Sequence, residues 1–527
     1  MRDTAAEVRD TAIRAYRGAR ARARRYGRRI RQHWRTATPH QRQTARVAAG
    51  SAALGLAVAV TAVAVTGPWD SGQRTAERSR AAAREGRSGG NHTGEDPGGA
   101  ALADAPKVLA ALHPEAAGGA KSRSGGAGTP PPSPDALADA LEPLVEDGEL
   151  GKRHALSVVD AATGKQLYSV KPRTAGTPAS TVKLATAAAA LSARGADHRI
   201  ETRVVRGDDP DEIVLVGGGD PTLSTGALDD LARTTARELG GKDAGKVSLK
   251  YDTSRYSGPV RHSIGANDNL APVTPLMVDE GRLEGTSERP LHGPAPRSTD
   301  PASDAAEAFA DALGEHGADV EGDPGEEKAP RKAKELAVHR SAPLSVLAER
   351  MLTYSDNDIA EALARQTALA SGEPAGFEGA GKAVRDRLGK LGLPLGGSRF
   401  ADGSGLSRSD KVSPALLTSL LVRAADSGHA ELRPVLTGLP VARFTGTLDD
   451  RYTGGSGKAG AGLVRAKTGT LTGVNALAGS VVDADGRLLL FAFMASGTKD
   501  GKAAQETLDG LASALADCGC RDSPSAG

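Results

Sequence analysis

At 527 residues the chain can hold two or three domains, and with 66 Gly, 30 Pro, 39% apolar and 3% aromatic residues, part of it is expected to be linker rather than core. Only two cysteines occur, Cys518 and Cys520 near the C-terminus, which excludes a zinc site built from thiolates and a disulfide framework holding the fold. The formal charge of +2 is uneven: residues 1–46 carry fourteen Arg against three acids, or +11, leaving −9 for everything after, so basic character belongs to one end alone.

That basic arm leads into VAAGSAALGLAVAVTAVAVT, residues 47–66, an uncharged run framed by Arg46 and Pro68. Twenty apolar residues suffice to cross a ~30 Å hydrocarbon layer as one helix. An Arg-rich flank stays cytoplasmic by the positive-inside bias, so the chain beyond Gly67 is expected outside the cell membrane. Signal-peptide cleavage after Ala62-Val63-Ala64 is the rival, but the apolar run and basic arm are both long for one, and an uncleaved single-pass anchor is preferred. The arm reads as a topology signal touching anionic lipid; with few aromatics for base stacking and no recognition motif, no nucleic acid partner is expected.

Residues 67–134 read as a spacer, with segments such as SGGNHTGEDPGG and SGGAGTPPPSP and little periodic apolar content. From Asp135 the pattern changes. Leu137, Leu141, Leu144 and Val145 share one helical face, and HALSVVD and KQLYSV flank a Gly-containing turn at residues 161–164, as in a hairpin. TPASTVKLATAAAALSARG then predicts a turn entering an Ala-rich helix that ends at Gly195. Near the far end, strands around Asp485-Gly486 and a helix over residues 501–516 mirror the beginning, which suggests one antiparallel sheet assembled from both ends of the body. Cys518 and Cys520 are expected as a partly exposed tail pair, open to oxidation outside the cell, with no assigned role.

Three short stretches can carry acyl-transfer chemistry, which needs an activated hydroxyl, a base and donors for the oxyanion. In Ser180-Thr181-Val182-Lys183 the hydroxyl and amine are three apart and share a helical face, and a desolvated Lys183 near other positive charge could serve as base. Ser355-Asp356-Asn357 sets a hydroxyl and an amide at a helix start. Lys467-Thr468-Gly469-Thr470 sits in a strand, with a cation, two hydroxyls for a carboxylate and a glycine that lets a substrate backbone lie close. Taken singly, each also has a structural reading: an N-cap at Ser180, a cap at Ser355–Asn357, a strand edge guarded by Lys467.

Taken together and in this order, Ser-x-x-Lys, Ser-Asp-Asn and Lys-Thr-Gly resemble the penicillin-recognising serine peptidases across the chain from Asp135 to the end. The 172-residue step from Lys183 to Ser355 demands an inserted domain. VLVGGGDPTLS, VSLKYDTSRYSGP and ADGSGLSRSDKVSP look like the D-alanyl-D-alanine carboxypeptidase/endopeptidase family of low-molecular-mass penicillin-binding proteins. The resemblance implies Ser180 as acylated nucleophile, Lys183 as its base, Ser355 as proton relay to the leaving amine, Asn357 as a positioning amide and Lys467 as an aid to Ser355. Thr468, Gly469 and Thr470 are the implied substrate-binding set, with the N–H groups of Ser180 and Thr470 as oxyanion hole. Asp402 and Ser404 of the DGSGLS loop could border the cleft or form a plain turn.

The fold implied is α+β: a β-lactamase-like antiparallel sheet flanked by helices (135–205 and 340–527), with an inserted, mainly β domain over 206–339 and an N-terminal transmembrane helix. The activity implied is a serine D-Ala-D-Ala carboxypeptidase, with endopeptidase action left open, on peptidoglycan stem peptides, acylated by β-lactams and using no metal or cofactor. A penicillin-binding wall sensor without activity is one rival. A β-lactamase is the other, disfavoured because Glu378, following Ser-Asp-Asn, is succeeded by Gly-Ala-Gly with no Asn four positions on.

Overall fold

The computed structural model of the chain describes residues 130–240, 245–283 and 292–519, all within the second of two compact units, Pro106–Gly527. The basic arm, the expected membrane span at 47–66 and nearly all of the spacer lie outside the described residues. Among the described residues no helix is long and apolar enough to cross a membrane.

The elements run α1 (Pro134–Glu146), β1 (Arg153–Asp160), β2 (Gln166–Val170), α2 (Lys183–Arg194), β3 (Arg199–Arg206), β4 (Glu212–Val216), α3 (Thr225–Glu238) and β5 (Lys246–Asp252). They continue with α4 (Pro301–Glu315), β6 (Asp319–Val320), β7 (Gly325–Glu326), β8 (Glu335–Pro343), α5 (Leu344–Tyr354), α6 (Asn357–Ser371) and α7 (Phe377–Lys390). Last come α8 (Pro414–Ala425), α9 (Pro434–Thr437), β9 (Val464–Leu471), β10 (Val474–Val482), β11 (Leu488–Ser496) and α10 (Gly501–Asp517).

The expected sheet is there: strand order β2-β1-β11-β10-β9, antiparallel throughout, with β1 paired to β11 from Arg153–Ser496 to Asp160–Leu489. Its central strand β11 shows almost no polar alternation because both faces are covered. Leu489, Phe491 and Phe493 enter a core shared with α1 and α10, while Leu490, Ala492 and Met494 enter the core of α2, α5, α6, α7 and α8. Period-2 geometry sends successive side chains to opposite faces, and each large side chain so buried contributes roughly 1.5–3 kcal/mol. The Ala run of α2 has the same origin: Ala185 and Ala187–Ala190 are fully buried, and small side chains let α6 and α7 close on it.

The inserted region departs from expectation. Its sheet, β6-β5-β4-β3-β8 with β7 beside β5, is mixed: β4, β6 and β7 run parallel to β5, and β3 runs antiparallel to β4 and β8. Helices α3 and α4, of 14 and 15 residues, bury Leu228, Leu231, Phe309 and Leu313 in its core, so the insertion is α/β rather than mainly β. Parallel neighbours need a crossover, and α3 is the one between β4 and β5. The sheet spans Arg199–Pro343, a little beyond 206–339 at each end. Its last strand, β8, runs straight into α5, and so delivers Ser355 to the site. At the C-terminus Cys518 is disulfide-bonded, and it is buried rather than partly exposed as expected.

Candidate active site

Ser180 lies in a one-turn 3-10 segment, Ala179–Val182, that feeds directly into α2, with Lys183 as the first α-helical residue. It is not a helix cap. Ala179 has φ +47, a left-handed value that costs an L-residue roughly 1–2 kcal/mol, and two glycines clasp the turn from either side. A Cβ on Gly405 would stand 2.0 Å from the Ala179 carbonyl oxygen, and one on Gly469 would stand 2.6 Å from that of Pro178. Gly469 was expected to admit a substrate backbone; what its missing side chain admits is the turn that carries Ser180.

The three-residue spacing does place the amine and the hydroxyl together. Lys183 Nζ lies 3.1 Å from Ser180 Oγ, 2.7 Å from Asn357 Oδ1 and 2.6 Å from the Ser404 carbonyl oxygen, so its three donors are directed. Burial removes the ammonium from water and brings its pKa down to about 8, against the opposing charges of Asp402, Asp356, Glu361 and Asp410. Lys467, on edge strand β9, is fully buried and so is no edge guard. Burial first, then the charges of Lys183 and Arg451, hold its pKa well below the lysine range.

Ser355 is the C-cap of α5 at φ 59, and Asp356 caps α6 by accepting from the Ile359 N–H, so the capping reading of this motif holds for its middle residue. Asn357 then opens α6 with its two amide atoms used separately: Oδ1 accepts from Lys183, and Nδ2 donates to the Asn269 carbonyl at 2.9 Å. Among the described residues no hydrogen bond joins Lys467 to Ser355. Its amine donates to the Thr468 carbonyl at 2.9 Å and faces the Thr468 hydroxyl at 3.5 Å. The Thr468 hydroxyl bonds that of Thr447 at 2.9 Å, and Thr470 Oγ1 accepts from Gln505 Nε2 at 3.1 Å.

The DGSGLS loop is more than a turn, because it supplies the carbonyl on Lys183. Glu361, one turn after Asn357 on α6, accepts from the N–H groups of Gly403 (3.1 Å) and Ser404 (3.0 Å) and pairs with Arg365 at 2.9 Å, all fully buried. Asp402 accepts from Gly405 and Ser407, both at 2.6 Å, and meets His262 Nε2 at 2.8 Å. Burial and the adjacent charge of Asp402 push Asp410 up to about 9, so it stays protonated at neutral pH.

A second buried group braces Ser355–Asn357 from the insertion. Asp358 Oδ1 accepts from the Ala271 N–H at 3.0 Å, and Arg297 lies 3.1 Å from its other oxygen. Glu280 sits against Arg282 (2.9 Å) and Arg350. Burial raises Glu280 to about 8 and Asp358 to about 7. His262, Glu361 and Asp402, and separately Glu280, Asp356 and Asp358, have the mutual spacing of metal ligands. In both groups the carboxylates are already engaged by backbone N–H, His or Arg.

Sequence reasoning missed Glu361, His262, Asp410, Asn269, Thr447 and Gln505. One signal was visible: Asn357, Glu361 and Arg365 recur every four residues on an Ala- and Leu-rich helix, a polar stripe that a core helix does not need.

The sequence matches the D-Ala-D-Ala carboxypeptidase 3 (S13) family over residues 137–297 and 292–516. It is 36% identical over 405 residues to a carboxypeptidase of Mycobacterium tuberculosis, covering 74% of this chain and 85% of that one. It is 32% identical over 473 residues to the D-alanyl-D-alanine carboxypeptidase of an Actinomadura strain, covering 74% and 86%. Among solved structures, penicillin binding protein 4 from Haemophilus influenzae is similar in fold, with a TM-score of 0.59 at 24% identity, covering 71% of this chain and 97% of that one. With the family's sequence pattern spanning nearly all of the described body, the chain belongs to the D-Ala-D-Ala carboxypeptidase 3 (S13) family.

Proposed function

We infer that this chain is a serine-type D-alanyl-D-alanine carboxypeptidase that trims peptidoglycan stem peptides through an acyl-enzyme at Ser180 and is acylated by β-lactams. The observation that carries the reading is the convergence on Lys183, whose amine holds Ser180 from one motif and Asn357 from another. In the proposed reaction Ser180 Oγ attacks the carbonyl of the penultimate D-Ala while Lys183 takes the hydroxyl proton. The C–N bond breaks, the leaving D-Ala amine is protonated by way of Ser355, and water then cleaves the ester to regenerate Ser180. N–H groups of Ser180 and Thr470 are assigned to the developing oxyanion, and Thr468 and Thr470 to the terminal carboxylate. Cleavage of D-Ala to diamino-acid cross-links is an extension of the same chemistry to a bulkier leaving group.

A β-lactamase reading gains nothing from the fold: Glu378 is exposed in the first turn of α7, and its neighbour one turn on is Lys382, which pairs with Glu373 and Asp386. For location we propose a single-pass anchor at 47–66 with the catalytic body outside, as a wall substrate requires. Protease added to protoplasts should remove the body and spare residues 1–46; loss of both ends would contradict it.

Lys183 must be neutral to accept a proton, so activity should rise with pH as its pKa near 8 is crossed. The expected result is a kcat/KM for D-Ala release that climbs about tenfold between pH 7 and pH 9 and then levels. A profile flat over that range would remove Lys183 from the role of base.

A further inference from the structure

Thr447 lies outside the three motifs, yet it is built into them. Its turn, Gly446–Leu448, is fixed at both ends. Leu448 is fully buried in the core beneath β9 and β10. Gly446, at φ +58, lies so close to the C-terminal turn of α5 that a Cβ there would stand 2.1 Å from the Thr353 carbonyl oxygen, two residues before Ser355. Between these anchors the half-buried Thr447 hydroxyl meets Thr468 Oγ1 at 2.9 Å, and behind Thr468 stands the fully buried amine of Lys467.

The Lys467 amine donates toward the Thr468 hydroxyl at 3.5 Å. Lys467 therefore occupies an acceptor position of the Thr468 hydroxyl, and Thr447 takes either its other acceptor position or its proton. In both arrangements two hydroxyls share one internal bond and one O–H remains to be donated outward, with the buried amine donating from behind it. From this we infer that Thr447 is a specificity-determining residue that completes, with Thr468, the donor set reading the terminal carboxylate of the substrate. The inference rests on the carboxypeptidase reading and deepens it. Without Thr447, the Thr468 hydroxyl can rotate away from the cleft and Lys467 loses its outlet.

The test uses the full chain with two peptides, one ending in D-Ala-D-Ala and the same peptide as its C-terminal carboxamide, and two variants, Thr447→Val and Thr447→Ser. Val keeps the shape and removes the hydroxyl; Ser keeps the hydroxyl. Loss of a hydrogen bond to a charged group predicts that Thr447→Val lowers kcat/KM on the carboxylate peptide about 10- to 100-fold, chiefly through KM, and barely changes it on the carboxamide. Thr447→Ser should restore the wild-type preference for carboxylate over carboxamide. Equal losses on both peptides, an unchanged preference in Thr447→Val, or no rescue by Ser would overturn the assignment while leaving the carboxypeptidase reading intact. A wild-type chain that releases no D-Ala and takes up no β-lactam would sink that reading, and this inference with it.

Discussion

Replacing Lys183 with alanine is expected to slow acylation of Ser180 by about 10²–10⁴-fold, the range that a positioned general base commands. The expectation follows from where the amine sits. It is fully buried, holds its pKa near 8, and spends its donors on Ser180, Asn357 and the Ser404 carbonyl. Alanine removes the proton acceptor and also strands a buried carbonyl and an amide oxygen, at about 1–3 kcal/mol for each group left unsatisfied. Arginine should not rescue, because a guanidinium does not give up its proton in a protein. The residual activity of either variant should also lose the rise between pH 7 and pH 9. Burst kinetics with a chromogenic β-lactam measure the step directly, and a Lys183→Ala rate within tenfold of wild type would show that another group takes the Ser180 proton.

Glu361→Ala should be the most damaging change that leaves the three motifs untouched. The carboxylate is buried with Arg365 and accepts both N–H groups of the loop that presents Ser404 to Lys183. Removing one partner of a buried ion pair typically costs about 3–5 kcal/mol, since the other charge is left uncompensated. Arg365 would keep its own-helix bond to the Glu361 carbonyl and its place over the rings of Phe377 at 4.3 Å and Tyr256 at 5.6 Å, none of which carries a compensating charge. A thermal melt should fall by several degrees, and β-lactam acylation should slow as the loop loosens. Glu361→Gln, which keeps an acceptor for the loop, should lie between. Adding Arg365→Leu to Glu361→Ala should recover part of the stability, because deleting both charges avoids the stranded one. Additive losses in the double variant would show that the pair is not the source of the cost.

What the sequence revealed and what it hid divide along contact distance. The β1–β2 hairpin, the strands around Asp485-Gly486, α1 and α2 follow from local periodicity and turn residues, and each forms where expected. The insertion misled for a definite reason. Its second helix, PASDAAEAFADALGE, follows a segment rich in Pro, Gly and charge, and its buried face of Ala302, Ala305, Ala306, Phe309 and Leu313 is mostly alanine, which gives a weak apolar signal. The ladder partners that make its sheet mixed rather than a meander are likewise invisible to a local pattern.

At the site, the motifs identified which residues matter, but not how they are held. Glu361 reads as one more charge on a helix until residues 403 and 404 fold onto it, and His262 meets Asp402 across 140 positions of chain. Gly469 shows the same limit. Residue type called for a close approach there, and only the fold identifies the approaching group as the Ser180 turn.

The most direct test of a single acylated serine is the intact mass of the full chain after benzylpenicillin, with Ser180→Ala beside it. β-Lactam ring opening expels no leaving group, so the wild type should gain the whole mass of the drug once per chain, and Ser180→Ala should gain nothing while melting like the wild type. A folded Ser180→Ala chain that still carries the adduct would contradict the account at its root.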